Sequence, residues 1–271
     1  DTPFNVTVGM LRGGMGKNTK AGRLLREQIA SGEISIVVGT HALLANGMEF
    51  KNLALLVVDE EQRFGVKQKE RLKVISNGID VLTLTATPIP RTLQMSLSGV
   101  RDTTTIQTPP PMRKPTITVV QEMSKDFVYE AISREFERGG QCYYVLPRIA
   151  DLAEAETLLM GLFPDIRIIM AHGRMGRGAE ENVAKFAEGD YDVLLATTVI
   201  ENGVDIPTVN TIVVQNAQSL GMSTLYQLKG RVGRSNVQAY AYFLHKPEAI
   251  TEPVSYTHLR AHETRCNVVC R

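Results

Sequence analysis

The chain has 271 residues, 43% of them hydrophobic and 22% charged, with a formal net charge of +1. That length admits one large α/β domain or two of ordinary size, and the composition excludes a disordered or fibrous chain. Near-neutrality excludes a polyanion partner held by global charge, so any nucleic-acid contact must come from local basic groups and backbone amides.

No apolar stretch reaches membrane-spanning length, no secretory leader opens the chain, and three cysteines are too few for a disulfide framework. These features set the expectation of a cytoplasmic protein with no membrane partner.

In chain order, residues 6–10 read as the first strand. The next segment, Gly13-Gly14-Met15-Gly16-Lys17-Asn18, imitates a phosphate loop. It has Leu11 where that loop needs glycine and Asn18 where it needs a Mg²⁺-binding hydroxyl, so it fails the pattern. A loop whose amides and Arg12 or Lys17 touch a phosphate backbone is the better expectation. A helix is expected over 20–31 and a strand over 35–38.

The apolar run 53–58 then ends in Asp59-Glu60-Glu61-Gln62. A buried strand ending in paired carboxylates suits nucleotide hydrolysis: one holds a hydrated Mg²⁺, its neighbour orients the attacking water. Alone, such a pair is more often just a solvated strand end. A helix over 66–75 and a strand over 81–84 follow, then Thr85-Ala86-Thr87-Pro88. Hydroxyls there can bond the acidic groups of the neighbouring strand, although a tetrapeptide of this kind is usually just a turn.

Pro109-Pro110-Pro111 interrupts the alternation and reads as a stiff linker. Beyond it, strands are expected over 116–120, 142–146, 167–170, 193–196, 211–214 and 239–244, with helices over 125–138, 151–162 and 178–188. Alternating βα units with near-continuous apolar strands imply parallel sheets covered on both faces. After the strand 193–196 comes Thr197-Thr198-Val199-Ile200-Glu201-Asn202-Gly203-Val204-Asp205-Ile206-Pro207. Thr197 and Thr198 can donate to a DNA phosphate, Gly203 permits close backbone approach, and Asp205 offers an acceptor for a ribose hydroxyl or an arginine. In Gln227-Leu228-Lys229-Gly230-Arg231-Val232-Gly233-Arg234, the two arginines are expected on one helical face, suited to phosphate oxygens. A basic solvated face is the plain alternative.

The end of the chain differs in character. Cys266, Cys270, His258 and His262 match no usual zinc spacing. Residues 254–264 look like a translated sequencing adapter, so 254–271 are expected to be a non-native tail.

The ordered set DEEQ, TATP, TTVIENGVDIP and QLKGRVGR resembles motifs II, III, V and VI of superfamily 2 helicases. Val37-Val38-Gly39-Thr40-His41 resembles motif Ib, and His172-Gly173-Arg174-Met175 the segment after motif IV. More narrowly, 59–66, 82–93, 99–102 and 227–235 resemble the translocase module of bacterial transcription-repair coupling factors. The related RecG branch-migration helicases share much of this, but their acidic motif usually reads DEQHRFGV.

The resemblance implies two RecA-like parallel-sheet domains in tandem, an α/β fold, with residues 1–112 the truncated first and 113–253 the second. It implies ATP and Mg²⁺ as cofactors. Asp59 would hold Mg²⁺, Glu60 the attacking water, and Gln227 the nucleotide or its water. Arg231 and Arg234 would reach the phosphates across the interdomain cleft, and Asp205, beside Gly203, the ribose or those arginines. Thr87 would relay hydrolysis to movement. Arg12, Thr40, His41, Arg91, Thr197 and Thr198 would contact DNA. The implied partners are double-stranded DNA and, through domains absent here, RNA polymerase and excision-repair proteins.

No G-x-x-x-x-G-K-[ST] occurs in the chain. The resemblance places that loop upstream of Asp1, so a fragment cut at both ends is expected, hydrolysing ATP negligibly alone. Its second domain should be the more stable half. A non-catalytic nucleic-acid-binding scaffold is the competing class, opposed by the presence of Asp59, Glu60, Arg231 and Arg234 together. A small-molecule kinase built on 13–17 lacks a hydroxyl-activating site.

Overall fold

The structure is a computed structural model that describes residues 6–11, 19–61, 64–85, 114–201 and 206–247, with 102, 104, 106 and 108. The chain divides into two compact units, Asp1–Pro88 and Ile89–Arg271. The proline segment and the boundary expected at 112/113 involve residues outside those described.

In the first unit the strand β1 (Val8–Leu11) is followed by the helix α1 (Lys20–Ser31) and the strand β2 (Ile36–Gly39). Thr19 caps α1 by accepting a hydrogen bond from the Gly22 amide at 3.2 Å, and Gly32 ends it at φ 81°. β1 and β2 pair in parallel from Val8 against Ile36 to Leu11 against Gly39. A Cβ on Gly39 would collide with the Leu11 carbonyl, so this pairing admits only glycine there. Leu11, Ile29 and Met48 form the buried centre.

Next come β3 (Leu55–Asp59), α2 (Val66–Ile75) and β4 (Asp80–Leu84). β3 and β4 pair in parallel, Leu55 against Asp80 through Asp59 against Leu84. Leu55, Val57, Leu82 and Leu84 occupy one face of this pair and are all exposed, as are Val8, Met10, Ile36 and Val38 on β1 and β2. The expectation of sheets covered on both faces therefore fails in this unit. Apolar strands announce a buried destination, but sequence alone does not say what covers them.

The second unit meets that expectation. Its strands are β5 (Ile117–Glu122), β6 (Gln141–Val145), β7 (Ile168–Ala171), β8 (Val193–Ala196), β9 (Val209–Gln215) and β10 (Tyr240–His245). They form one parallel sheet in the order β5-β10-β9-β6-β8-β7. The helices are α3 (Lys125–Phe136), α4 (Leu152–Leu162), α5 (Arg177–Ala187) and α6 (Met222–Lys229). Alternation along the strands splits the core by face. Tyr143, Leu194 and Ile212 pack with Phe186 of α5 and Leu228 of α6. Tyr144, Leu195 and Val213 pack with Ile132 of α3 and Leu159 of α4. Each such fully buried side chain is worth about 1.5–3 kcal/mol.

The expected elements end within one or two residues of those observed, and 20–31, 66–75 and 193–196 match outright. α6 lies earlier than the helix expected at 227–234, and its start at Met222 was not foreseen. It has eight residues and only two buried anchors, Leu225 and Leu228, too short a stretch for a clear 3.6-residue period. No described helix is long and apolar enough to cross a membrane.

Candidate functional site

In the first unit β3 carries Asp59 to its C-terminal end, where the side chain is exposed. Glu60, half-buried, takes a left-handed backbone at φ 54°. A non-glycine residue there costs roughly 1–2 kcal/mol and marks a place where geometry outweighs local comfort. The Glu60 amide donates to the Leu84 carbonyl at 2.9 Å, so the β3–β4 ladder runs one bond past Asp59. The turn thus breaks strand alternation between two consecutive carboxylates while fixing the backbone beneath them. Beyond it, Gln68 accepts from the Gly65 amide at 2.7 Å and starts α2.

Thr40 and His41 follow β2 and are exposed. The Thr40 amide donates to the Leu11 carbonyl at 3.3 Å, and its hydroxyl oxygen accepts from the Ala42 amide at 3.5 Å. The hydroxyl hydrogen is left to donate outward.

In the second unit the parallel order and aligned register bring the C-terminal ends of β6, β7, β8 and β9 to one edge. Ligands of open α/β sheets bind at that edge. His172 follows β7, Thr197 and Thr198 follow β8, and Asn216 follows β9. The two threonines are not equivalent. Thr197 is 7% exposed, with its amide donating to the Ala171 carbonyl at 3.2 Å, whereas Thr198 is half-buried and reachable. The sequence expectation paired them; the structure makes Thr198 the accessible hydroxyl.

Asn216 is the second left-handed non-glycine residue described, at φ 55° and ψ 41°. It redirects the chain from β9 toward α6. Sequence reasoning gave it no role, although asparagine is the residue type that tolerates this conformation best.

α6 carries Gln227, half-buried, in its last turn. The arginines do not share a helical face, which corrects the expectation. The helix stops at Lys229, and Arg231 and Arg234 lie in the turn beyond Gly230. Gly233 keeps the chain from resuming a helix through Arg234. Its φ is 76°, and a Cβ there would meet Thr116 Oγ1 at 2.8 Å and Ala239 Cβ at 3.0 Å. The turn is thereby pressed against the residues that lead into β5 and β10. Arg231 is half-buried, and Arg234 is exposed with its Nε donating to the Gly230 carbonyl at 3.3 Å. Arg12, Thr87, Arg91, Gly203 and Asp205 lie outside the described residues.

Two family models match the chain: DEAD/DEAH box helicase over residues 3–96 and Helicase conserved C-terminal domain over 124–236. The transcription-repair-coupling factor of Staphylococcus haemolyticus (strain JCSC1435) is 48% identical over 246 residues, 90% of this chain and 21% of that protein. The transcription-repair-coupling factor of Staphylococcus aureus (strain USA300) is 48% identical over 237 residues, 87% of this chain and 20% of that protein. The chain therefore spans about a fifth of these relatives. Among solved structures, RecG bound to a three-way DNA junction superposes with a TM-score of 0.71 at 33% identity, over 97% of this chain and 35% of that one. Saccharomyces cerevisiae Dbp5 bound to RNA and ADP BeF3 shares the fold, with a TM-score of 0.66 at 17% identity over 98% of this chain and 70% of that one.

Proposed function

The chain belongs to the helicase family in which a DEAD/DEAH-box domain precedes a helicase C-terminal domain, and from that premise we propose that it is the motor module of an ATP-driven double-stranded DNA translocase of the transcription-repair-coupling type. The observation that carries this reading is the 48% identity over 90% of the chain, which runs through both matched domains. The RecG reading rests on a lower identity, 33%, and the acidic motif, which runs Glu61-Gln62 here, argues against it.

Each residue then has a role. Among the described residues no three His, Cys, Asp or Glu side chains gather into a metal cage. Exposed Asp59 fits Mg²⁺ held largely by water and nucleotide phosphates instead. When bound, the ion would draw charge from the phosphate oxygens. Glu60 orients the attacking water, and Gln227 meets the nucleotide or that water. Arg231 and Arg234 neutralise charge building on the γ-phosphate, an effect worth roughly 10³–10⁵ in rate for such arginines. Gly203 and Asp205 receive the ribose side, and Thr87 couples hydrolysis to movement. Arg12, Thr40, His41, Arg91, Thr197 and Thr198 contact DNA, with Thr198 the better placed of its pair. In the cytoplasm, the full-length protein would displace stalled RNA polymerase and promote excision repair through its other domains.

The chain carries no G-x-x-x-x-G-K-[ST] to cradle phosphates. Alone it should hydrolyse ATP no faster than buffer. Fused behind the phosphate-loop segment of a staphylococcal coupling factor, it should show ATP hydrolysis stimulated by duplex DNA. Glu60→Gln in that fusion should lower kcat by about 10²–10⁴ while leaving DNA affinity intact. A fusion that hydrolyses ATP equally with and without duplex DNA would overturn the translocase reading.

A further inference from the structure

The N-terminal ends of β6, β7, β8 and β9 form the edge of the second sheet opposite Thr198 and Asn216. Strands of this length separate the two edges by roughly 13–23 Å. On the far edge a cleft of about 660 Å³ opens between the end of α3, the turn after α4 and the turns that lead into β8 and β9.

One wall of the cleft is aromatic. Tyr129 and Phe163 stack with centroids 5.0 Å apart and planes 10° from parallel, and Tyr129 is 50% exposed. Acidic groups supply the charge. Asp165 and Asp192 line the cleft, and Asp190 lies near enough to act on Arg167. Arg167 is itself committed to Asp192, with Nη2 to Oδ1 at 2.6 Å and Nε to Oδ2 at 3.1 Å. Neither Asp165 nor Asp190 has an ion-pair partner among the described residues. The negative end of α3 points here as well.

A further feature lies behind the wall. Glu135 is fully buried, and its Oε2 takes hydrogen bonds from Thr211 and Arg138. Its Oε1 has no hydrogen-bond partner and sits against Gly140, one of the cleft's lining residues, where a Cβ would collide with it. Surplus negative charge excludes a phosphate, and the stacked rings favour a flat cation.

The geometry points to a docking cleft for an arginine-bearing segment of a partner protein. The guanidinium lies over the Tyr129–Phe163 stack and bonds the carboxylate of Asp165. None of the residues assigned to nucleotide and DNA lines this cleft, and the proposal does not depend on that assignment.

Titrating acetyl-Gly-Arg-Gly-amide into the whole chain, followed by amide NMR shifts, tests it. Saturable shifts at Gly139, Gly140 and Gly189 with a dissociation constant of roughly millimolar order are expected. Asp165→Asn and Tyr129→Ala should each weaken binding by about threefold. Both positions are exposed, so the fold should survive, and unchanged β6–β9 shifts would verify it. Equal shifts from acetyl-Gly-Glu-Gly-amide, shifts scattered over the surface, or indifference to both substitutions would overturn the proposal. Shifts at these glycines that depend on protein concentration alone would assign the cleft to a second copy, and would overturn it too.

Discussion

Glu60 is where local chemistry and local geometry disagree most. Its carboxylate was legible from the sequence because residue type and position after an apolar strand carry the chemical argument. Its left-handed backbone was not, since nothing in Asp59-Glu60-Glu61 signals φ 54°. Arg231 and Arg234 show the converse. Their identity and order were legible, while the helical face assigned to them was wrong because the helix ends at Lys229, before either arginine. Spacing of three predicts a shared face only while the helix continues. Glu60→Gly should relieve the backbone cost and raise the stability of the first unit by about 1 kcal/mol. The same change removes the carboxylate that the proposed chemistry needs. Denaturant unfolding of the variant beside its parent measures the first effect. An unchanged or lowered midpoint would mean that the left-handed turn is held at no cost.

Among elements, strands of the second unit were readable because each has an apolar centre, and the βα rhythm fixed their parallel sense. What joins them at their starts was not readable. Gln141 donates to the Phe186 and Tyr191 carbonyls at 2.8 and 2.6 Å and accepts from Thr208. These partners are 45, 50 and 67 residues away, beyond any local pattern. Asp192 and Arg167 link the starts of β8 and β7 in the same way. Partial burial pushes the Asp192 carboxyl up, but hydrogen bonds and charge from Arg167 outweigh it and hold the group below its ordinary value of 3.8. A carboxyl lowered on folding stabilises the fold above its unfolded pKa, and that contribution fades as pH falls through its folded pKa. Asp192→Asn should therefore melt slightly below the parent at pH 7, and the gap should close below pH 3.8. Melting curves across that range decide it. A gap that persists in acid would assign the effect to packing instead of charge.

At the scale of the molecule, two units with the first truncated and the second the more stable are the expectation from sequence, and the structure adds how their sheets and cores differ. The second has a six-stranded sheet with a packed core on each face. The first has two two-stranded sheets and, among the described residues, a buried cluster of only Leu11, Ile29 and Met48, with Val58 and Leu72 buried elsewhere. Limited proteolysis should leave a resistant core that includes 117–245, the span from β5 to β10, while the first unit is cleaved earlier. Mass spectrometry of the digest reads this directly, and survival of the first unit with loss of the second would contradict it.

The bare aliphatic rows on the first unit also govern how the molecule behaves at high concentration. Val8, Met10, Ile36 and Val38 on one strand pair, with Leu55, Val57, Leu82 and Leu84 on the other, offer water two oily stripes next to open backbone. Such surfaces stick to one another long before any core melts, so crowding and not heat would set the limit on keeping this chain dispersed.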